Sequence, residues 1–343
     1  MKTVRVSIAG LGNVGRRLLE LMQIKRELLR ARFDLELQVL GACDTSGGAE
    51  YLAGLDAATI IALKREHKGI ADYPQHGRAD MRVIDLVHGA DADIFVDLTL
   101  TNLKDGEPGL SAERAALAKK MHVVTANKGP LVLAFPELAA LAKKNDVKLL
   151  HSATVTGGLP TVNIGARDLG VTVVEKFEGI LNATTNYILT RMGEGQTFDE
   201  ALKHTQELGH AEADPALDVD GWDAANKLVI IANAVLRRAT TLKDVSVQGI
   251  RGVSQDEIQQ AAEHRQVIKL LALAERHGND YTLSVRPTRL DTVHPLAQVG
   301  AGMMGVIYHT DINGTILAMI QEHDPYPTAA AVLRDIVQIA TEK

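Results

Sequence analysis

The sequence predicts an α/β protein: a doubly wound parallel sheet at the N-terminus, followed by an α+β domain on a mixed or antiparallel sheet. Three observations carry that expectation. Short apolar runs alternate with helical stretches through the first half, the pattern of parallel strands joined by crossover helices. A glycine-rich turn directly follows the first such run. Beyond about residue 155 the alternation gives way to strands and helices in a different rhythm.

In the first part, residues 4–9, 37–42, 94–98, 122–125 and 147–152 read as strands. The glycine turn opens a helix expected to run to about residue 30. Residues 111–120 form another, with Ser111 as N-cap, Glu113 in the first turn and two lysines at the end. Residues 136–144 repeat this, with Pro136 at the first helical position. In the second part, 172–181, 245–253, 282–288 and 306–310 read as strands, and 184–192, 198–208, 222–237 and 256–277 as helices. Asn313-Gly314 between 306–310 and 315–320 is a hairpin signal. Pro325 and Pro327 precede a last helix over 328–340.

Composition narrows the function classes. The 343 residues are 46% hydrophobic and 23% charged with net charge −6, so the chain as a whole offers no basic footprint for nucleic acid or an anionic membrane. The single cysteine, Cys43, forms no internal disulfide and fits a reducing cytoplasm, the expected location. No apolar run reaches the ~18 residues of a membrane span, since Asn233 interrupts the strongest candidate. The N-terminus, strand-like from Val4, does not read as a signal peptide.

The turn Gly10-Leu11-Gly12-Asn13-Val14-Gly15 sits between a strand and a helix, where glycine permits a tight turn, close backbone approach to a pyrophosphate and close helix packing. It marks a Rossmann-type dinucleotide site with Gly10, Gly12, Asn13, Val14 and Gly15 as cofactor residues. Asp44 ends the second strand and would accept hydrogen bonds from the adenosine ribose; Thr45, Ser46 and Gly47 follow it without a cation, which favours NAD over NADP. Arg16 and Arg17 at the helix start temper that preference. Thr99, where the strand 94–98 runs out, borders the expected nicotinamide region, and Lys128 stands at the same edge one strand later. The domains are then 1–155 for the dinucleotide, 156–305 for substrate and dimerisation, and 306–343 as a C-terminal hairpin and helix packing back towards the nucleotide domain.

The most concentrated chemistry lies from Gly209 to Lys227. Five carboxylates, Glu212, Asp214, Asp218, Asp220 and Asp223, precede Lys227, and the apolar run Leu228-Val229-Ile230-Ile231 follows. An EF-hand is excluded: with Gly221 at the turn, Lys227 would stand where a bidentate Glu is required. Asp223 and Lys227 share one helix face. An exposed pair at this spacing contributes only about 0.3 to 0.5 kcal/mol, a weak reason for its presence.

These motifs occur in an order that resembles homoserine dehydrogenase: the glycine turn, Ala126-Asn127-Lys128, the segment from Gly179 through Asn182, Thr184 and Asn186 to Leu189, and the acidic segment ending at Lys227. The resemblance covers residues 1 to about 240 with specific motifs and extends loosely to the end. It implies that Glu212 and Asp223 hold the substrate, that Asp218 is a further acidic position near it, and that Asn182 and Thr184 lie near the active site, although Ala183 replaces a usual glycine. Lys128 and Lys227 match the active-site lysines. The stretch 153–160 resembles a monovalent-cation loop that uses main-chain carbonyls, here of Val155, Gly157 and Leu159, for sodium or potassium. Ser152 replaces a carboxylate that helps bind the ion in some members. The cofactor-closing loop near the C-terminus is rebuilt as Gln321-Glu322-His323-Asp324-Pro325-Tyr326, with two carboxylates that would face a phosphate unless turned away. The chain ends at Lys343, so the resemblance is to the short form, and inhibition through a C-terminal regulatory domain is not expected.

The expected reaction is reversible, NAD(P)-dependent conversion of L-homoserine to L-aspartate 4-semialdehyde, with lysine-assisted proton transfer, by a homodimer without nucleic-acid or membrane partners. Lys227 is favoured for the proton and Lys128 for polarising the oxygen. The alternatives are a dehydrogenase of another small amino or hydroxy acid and, ranked lower, a nicotinamide-sensing binding protein, which would have no use for two lysines beside an acidic pocket.

Overall fold

β1 (Lys2–Ala9) buries Val4, Val6 and Ile8 on one face and Ser7 and Ala9 on the other, as a strand covered on both sides must. The structure, a computed structural model, describes residues 1–89, 91–208 and 214–342. It divides into two units, Met1–Gly158 with Asp324–Lys343, and Leu159–His323.

In the first unit β1 pairs in parallel with β2 (Leu35–Asp44) and β5 (Ile94–Asp97). β3 (Gly47–Glu50) and β4 (Gly77–Arg78) continue antiparallel beyond β2, while β6 (His122–Thr125) and β7 (Leu149–Leu150) continue parallel beyond β5. The sheet order is β4-β3-β2-β1-β5-β6-β7. The chain reverses direction of travel at β1, and the glycine turn lies at that switch point.

The second unit holds β8 (Val174–Ile180), β9 (Val245–Val247), β10 (Gln266–His277), β11 (Asp280–Asp291), β12 (Met303–Thr310) and β13 (Thr315–Gln321). Their order is β13-β12-β8-β10-β11-β9, antiparallel except for the β9–β11 pair, so the sheet is mixed. Ile180, Leu271, Leu273, Val299 and Ile307 form a core on it.

Four expectations are corrected. The single helix over 256–277 is a helix, Gln255–Glu263, followed by β10. A Ser254/Glu257 capping box starts the helix, Arg265 at φ 58° breaks it, and the following apolar run is buried between two partner strands, where periodicity does not separate strand from helix. The first long helix is two, Asn13–Ile24 and Arg26–Phe33, and the second sets Arg26 and Arg30 on Glu36 of β2. Pro136 lies inside the helix Lys128–Lys144 and not at its start; the backbone breaks at Ala134, as a ring without an N–H requires. The piece 306–343 is divided: β12 and β13 complete the second sheet, whereas the helix Tyr326–Thr341 buries Ala329, Val332 and Ile336 in the first unit.

Candidate active site

The first unit gathers its candidates at the carboxyl ends of the parallel strands. Gly10 adopts φ 92°, and a Cβ there would lie 2.2 Å from the Leu98 carbonyl oxygen; a Cβ on Gly15 would lie 2.1 Å from that of Gly10. Both positions therefore require glycine. Gly12 meets nothing within 4 Å and caps Asn13–Ile24, whose first turn includes Asn13 and Val14. The turn thus leaves an open cradle of backbone at a helix N-terminus, which fits a dinucleotide pyrophosphate.

Asp44 ends β2 as expected, but it has a partner the sequence did not reveal. Lys64, in the last turn of the helix Ala57–Arg65, donates to Oδ2 at 2.7 Å, and the Ser46 backbone N–H and hydroxyl donate to Oδ1 at 2.8 and 2.6 Å. Burial alone would raise the Asp44 pKa; the Lys64 and Ser46 hydrogen bonds outweigh it and hold the group ionised, below the usual value. A carboxylate has about four acceptor positions, and these three bonds leave room for a ribose hydroxyl.

Thr99 donates its N–H and hydroxyl to Asp97 Oδ1 at 2.9 and 2.6 Å. Lys128 is the first residue of its helix, and the Asn127 side chain caps that helix by accepting from the Gly129 N–H at 2.9 Å. Asn127 also donates to Thr99 Oγ1 at 3.0 Å, so Thr99 and the start of the Lys128 helix form one polar assembly.

The rebuilt segment before the last helix is anchored to the helix that follows the glycine turn. Asp324 turns its carboxylate onto the Tyr326 N–H, and the Tyr326 hydroxyl donates to Glu20 at 2.7 Å. Arg17 pairs with the same carboxylate at 2.7 Å and lies 4.7 Å from the Tyr326 ring centre, while Arg65 reaches Glu20 at 3.1 Å. Arg17 is thereby engaged, as Lys64 is with Asp44. Burial opposes the Glu20 charge, but the three hydrogen bonds prevail and lower its pKa from 4.5 to about 2. A depressed carboxylate contributes stability that is present above the unfolded pKa and lost as pH falls through the folded one. Glu20→Gln should therefore lower the thermal midpoint at neutral pH, by roughly 1 to 3 kcal/mol of stability, and flatten its fall between pH 4.5 and 2. Parallel midpoint-against-pH curves for the two proteins would contradict this.

In the second unit Asn182 is central. Its carbonyl oxygen caps the helix Ala183–Gly193 by accepting from the Thr185 N–H at 2.8 Å, and its amide nitrogen donates to Asp218 at 2.6 Å and Asp223 at 2.9 Å. Lys227 Nζ donates to the same Asp223 oxygen at 2.7 Å and to the Leu181 carbonyl at 2.6 Å, with 12% of each side chain exposed. Asp223 occupies the first turn of the helix Trp222–Ala234, where a carboxylate is favoured, and Lys227 lies one turn later. Thr184 is buried in the first turn of the helix that Asn182 caps. Asn182, Asp218, Asp223 and Lys227 are thus joined in one network. Glu212 lies outside the described residues.

The candidate cation carbonyls fall on a short helix, Ala153–Thr156, which holds Val155, on Gly157 at φ 57°, and on Leu159, whose carbonyl accepts from the Thr161 N–H at 2.7 Å. Ser152 does not stand without a carboxylate nearby: its N–H and hydroxyl donate to buried Asp335 at 2.9 and 2.6 Å. Among the described residues no group of three or more His, Cys, Asp or Glu side chains is arranged to hold a metal, and no helix is long and apolar enough to cross a membrane.

Residues 160–337 match the family model described as homoserine dehydrogenase. The chain is 36% identical to the homoserine dehydrogenase of Methanocaldococcus jannaschii across 97% of its own length and 98% of that protein. It belongs to the homoserine dehydrogenase family. A second relative, the NAD(+)-dependent homoserine dehydrogenase of Pseudomonas canavaninivorans, is 35% identical over 99% of this chain and 97% of its own. A hyperthermophilic archaeal homoserine dehydrogenase in complex with NADPH superposes with a TM-score of 0.86 at 26% identity, covering 99% and 98% of the two chains. The chain is accordingly an NAD(P)-dependent oxidoreductase, with the two-sheet α/β architecture of homoserine dehydrogenases.

Several polar partners have little or no signature in the sequence. Lys64 is 20 residues from Asp44 with no motif linking them. Asp97 left a trace, as a polar residue closing the buried run Ile94–Asp97. The Leu181 carbonyl, as a backbone group, left none.

Proposed function

We propose that this chain oxidises the terminal alcohol of L-homoserine to L-aspartate 4-semialdehyde, reversibly, with NAD preferred. The observation that carries the assignment of roles is Lys227, with little solvent exposure, bonded to Asp223 and the Leu181 carbonyl. The bound nicotinamide supplies the hydride acceptor. Asp223, with Glu212, meets the substrate ammonium, and Asp218 and Asn182 fix the Asp223 carboxylate; Thr184 supports the same wall. Lys227 as the neutral amine takes the hydroxyl proton while hydride leaves for the nicotinamide, and as the resulting ammonium it returns that proton to the aldehyde oxygen during reduction, while Lys128 polarises that oxygen. The backbone of Gly10, Gly12, Asn13, Val14 and Gly15 would hold the cofactor, with Asp44 meeting the ribose and Thr99 and Lys128 on the nicotinamide side.

Asp44 supports NAD because a 2′-phosphate would meet its carboxylate, and Lys64, already bound to it, softens but does not reverse that repulsion. Nicotinamide absorbance followed with L-homoserine and either cofactor tests both parts: turnover should occur and favour NAD. Asp44→Ala, by releasing Lys64, should shift the kcat/KM ratio towards NADP by about tenfold or more. Absence of turnover with both cofactors would refute the activity, and an unchanged ratio the role of Asp44.

Main-chain carbonyls of Val155, Gly157 and Leu159 are proposed to bind sodium or potassium, which separate addition of each salt to the same assay would reveal. A homodimer is proposed through the second sheet: its outer strand β13 exposes Leu317 and Met319, each 41% accessible, on one face. The mass in solution tests it.

A further inference from the structure

Two carboxyl groups behind the strand ends of the first unit have no part in the roles assigned so far. Asp97 closes β5 and Glu113 lies on the helix Gly109–Ala118, and both are fully buried. Among the described residues neither forms an ion pair, so no side-chain cation balances the site. Each Asp97 oxygen is nevertheless in use: Oδ1 receives the Thr99 N–H and hydroxyl, and Oδ2 receives the Asn127 amide at 3.2 Å. Glu113 faces Asp97 and Thr125, but neither of its oxygens receives a well-formed hydrogen bond from a described donor.

The surroundings leave little freedom. A Cβ on Gly109 would lie 2.5 Å from both Asp97 Oδ2 and Asn127 Nδ2, so the helix carrying Glu113 packs its backbone directly against the carboxylate–amide contact. The Asn127 amide bridges Asp97 and Thr99 with its nitrogen while its oxygen caps the helix that begins at Lys128. Any rotation of Asp97 must therefore disturb the cap as well as Thr99.

We propose that the buried Asp97–Glu113 carboxyl pair is a positioning element for the reaction, fixing Thr99 and, through the Asn127 cap, the backbone from which Lys128 extends. This rests on the role proposed above for Lys128. Two adjacent buried carboxylates cannot both hold charge. Burial raises the Asp97 pKa as well, but its three donors favour placing the negative charge there. Glu113 keeps the proton, its pKa raised well above the ordinary value by burial and by the Asp97 charge, and presents it to Asp97. In Asp97→Asn the new NH₂ faces either the Asn127 NH₂ or the Thr99 N–H, so two donors stand in opposition and either the cap or Thr99 must turn.

The test uses the full-length enzyme with L-homoserine and NAD. Asp97→Asn should lower kcat by on the order of 10²-fold, the cost of a small misplacement, with the homoserine KM little changed. Glu113→Leu should lower kcat by about tenfold or more, and Glu113→Gln, which restores a donor to Asp97, should recover most of it. Independently of activity, the infrared difference between wild type and Glu113→Gln at neutral pH should contain the carbonyl band of a protonated carboxylic acid. A missing band, an unaltered kcat in Asp97→Asn, or equal losses in Glu113→Leu and Glu113→Gln would each overturn the proposal. Lys128→Ala measured alongside separates the two levels. If it alone loses turnover, the pair's positioning role fails; if it keeps normal turnover, the Lys128 assignment fails and takes this proposal with it.

Discussion

Lys227→Ala lowers homoserine turnover by on the order of 10²-fold or more, the scale set by loss of a positioned acid–base group. The expectation follows from its surroundings. Nζ lies 2.7 Å from Asp223 and 2.6 Å from the Leu181 carbonyl, held at the end of a network whose other members are Asn182 and Asp218. Truncation leaves Asp223 bonded to the Asn182 amide, so the carboxylate is not stranded and the substrate wall persists. Homoserine KM should then change much less than kcat. NAD affinity should also stay close to wild type, because the proposed cofactor residues belong to the other unit. Steady-state kinetics with a direct NAD titration check this; near-normal turnover would remove Lys227 from the proton-transfer role.

Lys128→Ala is expected to lose turnover on a similar scale for a different reason. Its backbone is fixed by the Asn127 cap, and alanine is an excellent helix former, so the helix Lys128–Lys144 should remain intact. What disappears is the cation proposed to polarise the substrate oxygen. Thermal unfolding should therefore change little while kcat falls. A variant with full activity, or one whose loss tracks a collapse in stability, would contradict the assignment.

Much of the fold was legible because several local requirements agree. Gly10 and Gly15 are demanded by contacts of about 2 Å that any Cβ would make, and β1 carries the apolar positions of a doubly covered strand. Legibility failed where one pattern serves two structures: the apolar run of β10 is buried against β8 and β11, and burial from both sides erases the period that separates strand from helix. At the site, Asp223 and Lys227 could be paired from helical spacing alone. Asn182 could be placed as a helix cap by its residue type, but its two bonds to Asp218 and Asp223 join residues 36 and 41 positions away, beyond any local rule. The same holds for Lys64 on Asp44 and Tyr326 on Glu20. The substituted positions in the C-terminal segment suggested a rebuilt closure; in three dimensions Asp324 is turned onto the Tyr326 N–H and Tyr326 becomes an anchor.

The central claim is that hydride leaves the terminal carbon of L-homoserine. Incubating the wild-type enzyme with NAD and L-homoserine deuterated at that carbon, and analysing the reduced nicotinamide by mass spectrometry, tests it most directly. The account predicts one deuterium in the reduced cofactor for each L-aspartate 4-semialdehyde formed. Reduced cofactor without deuterium, or no cofactor reduction at all, would contradict it.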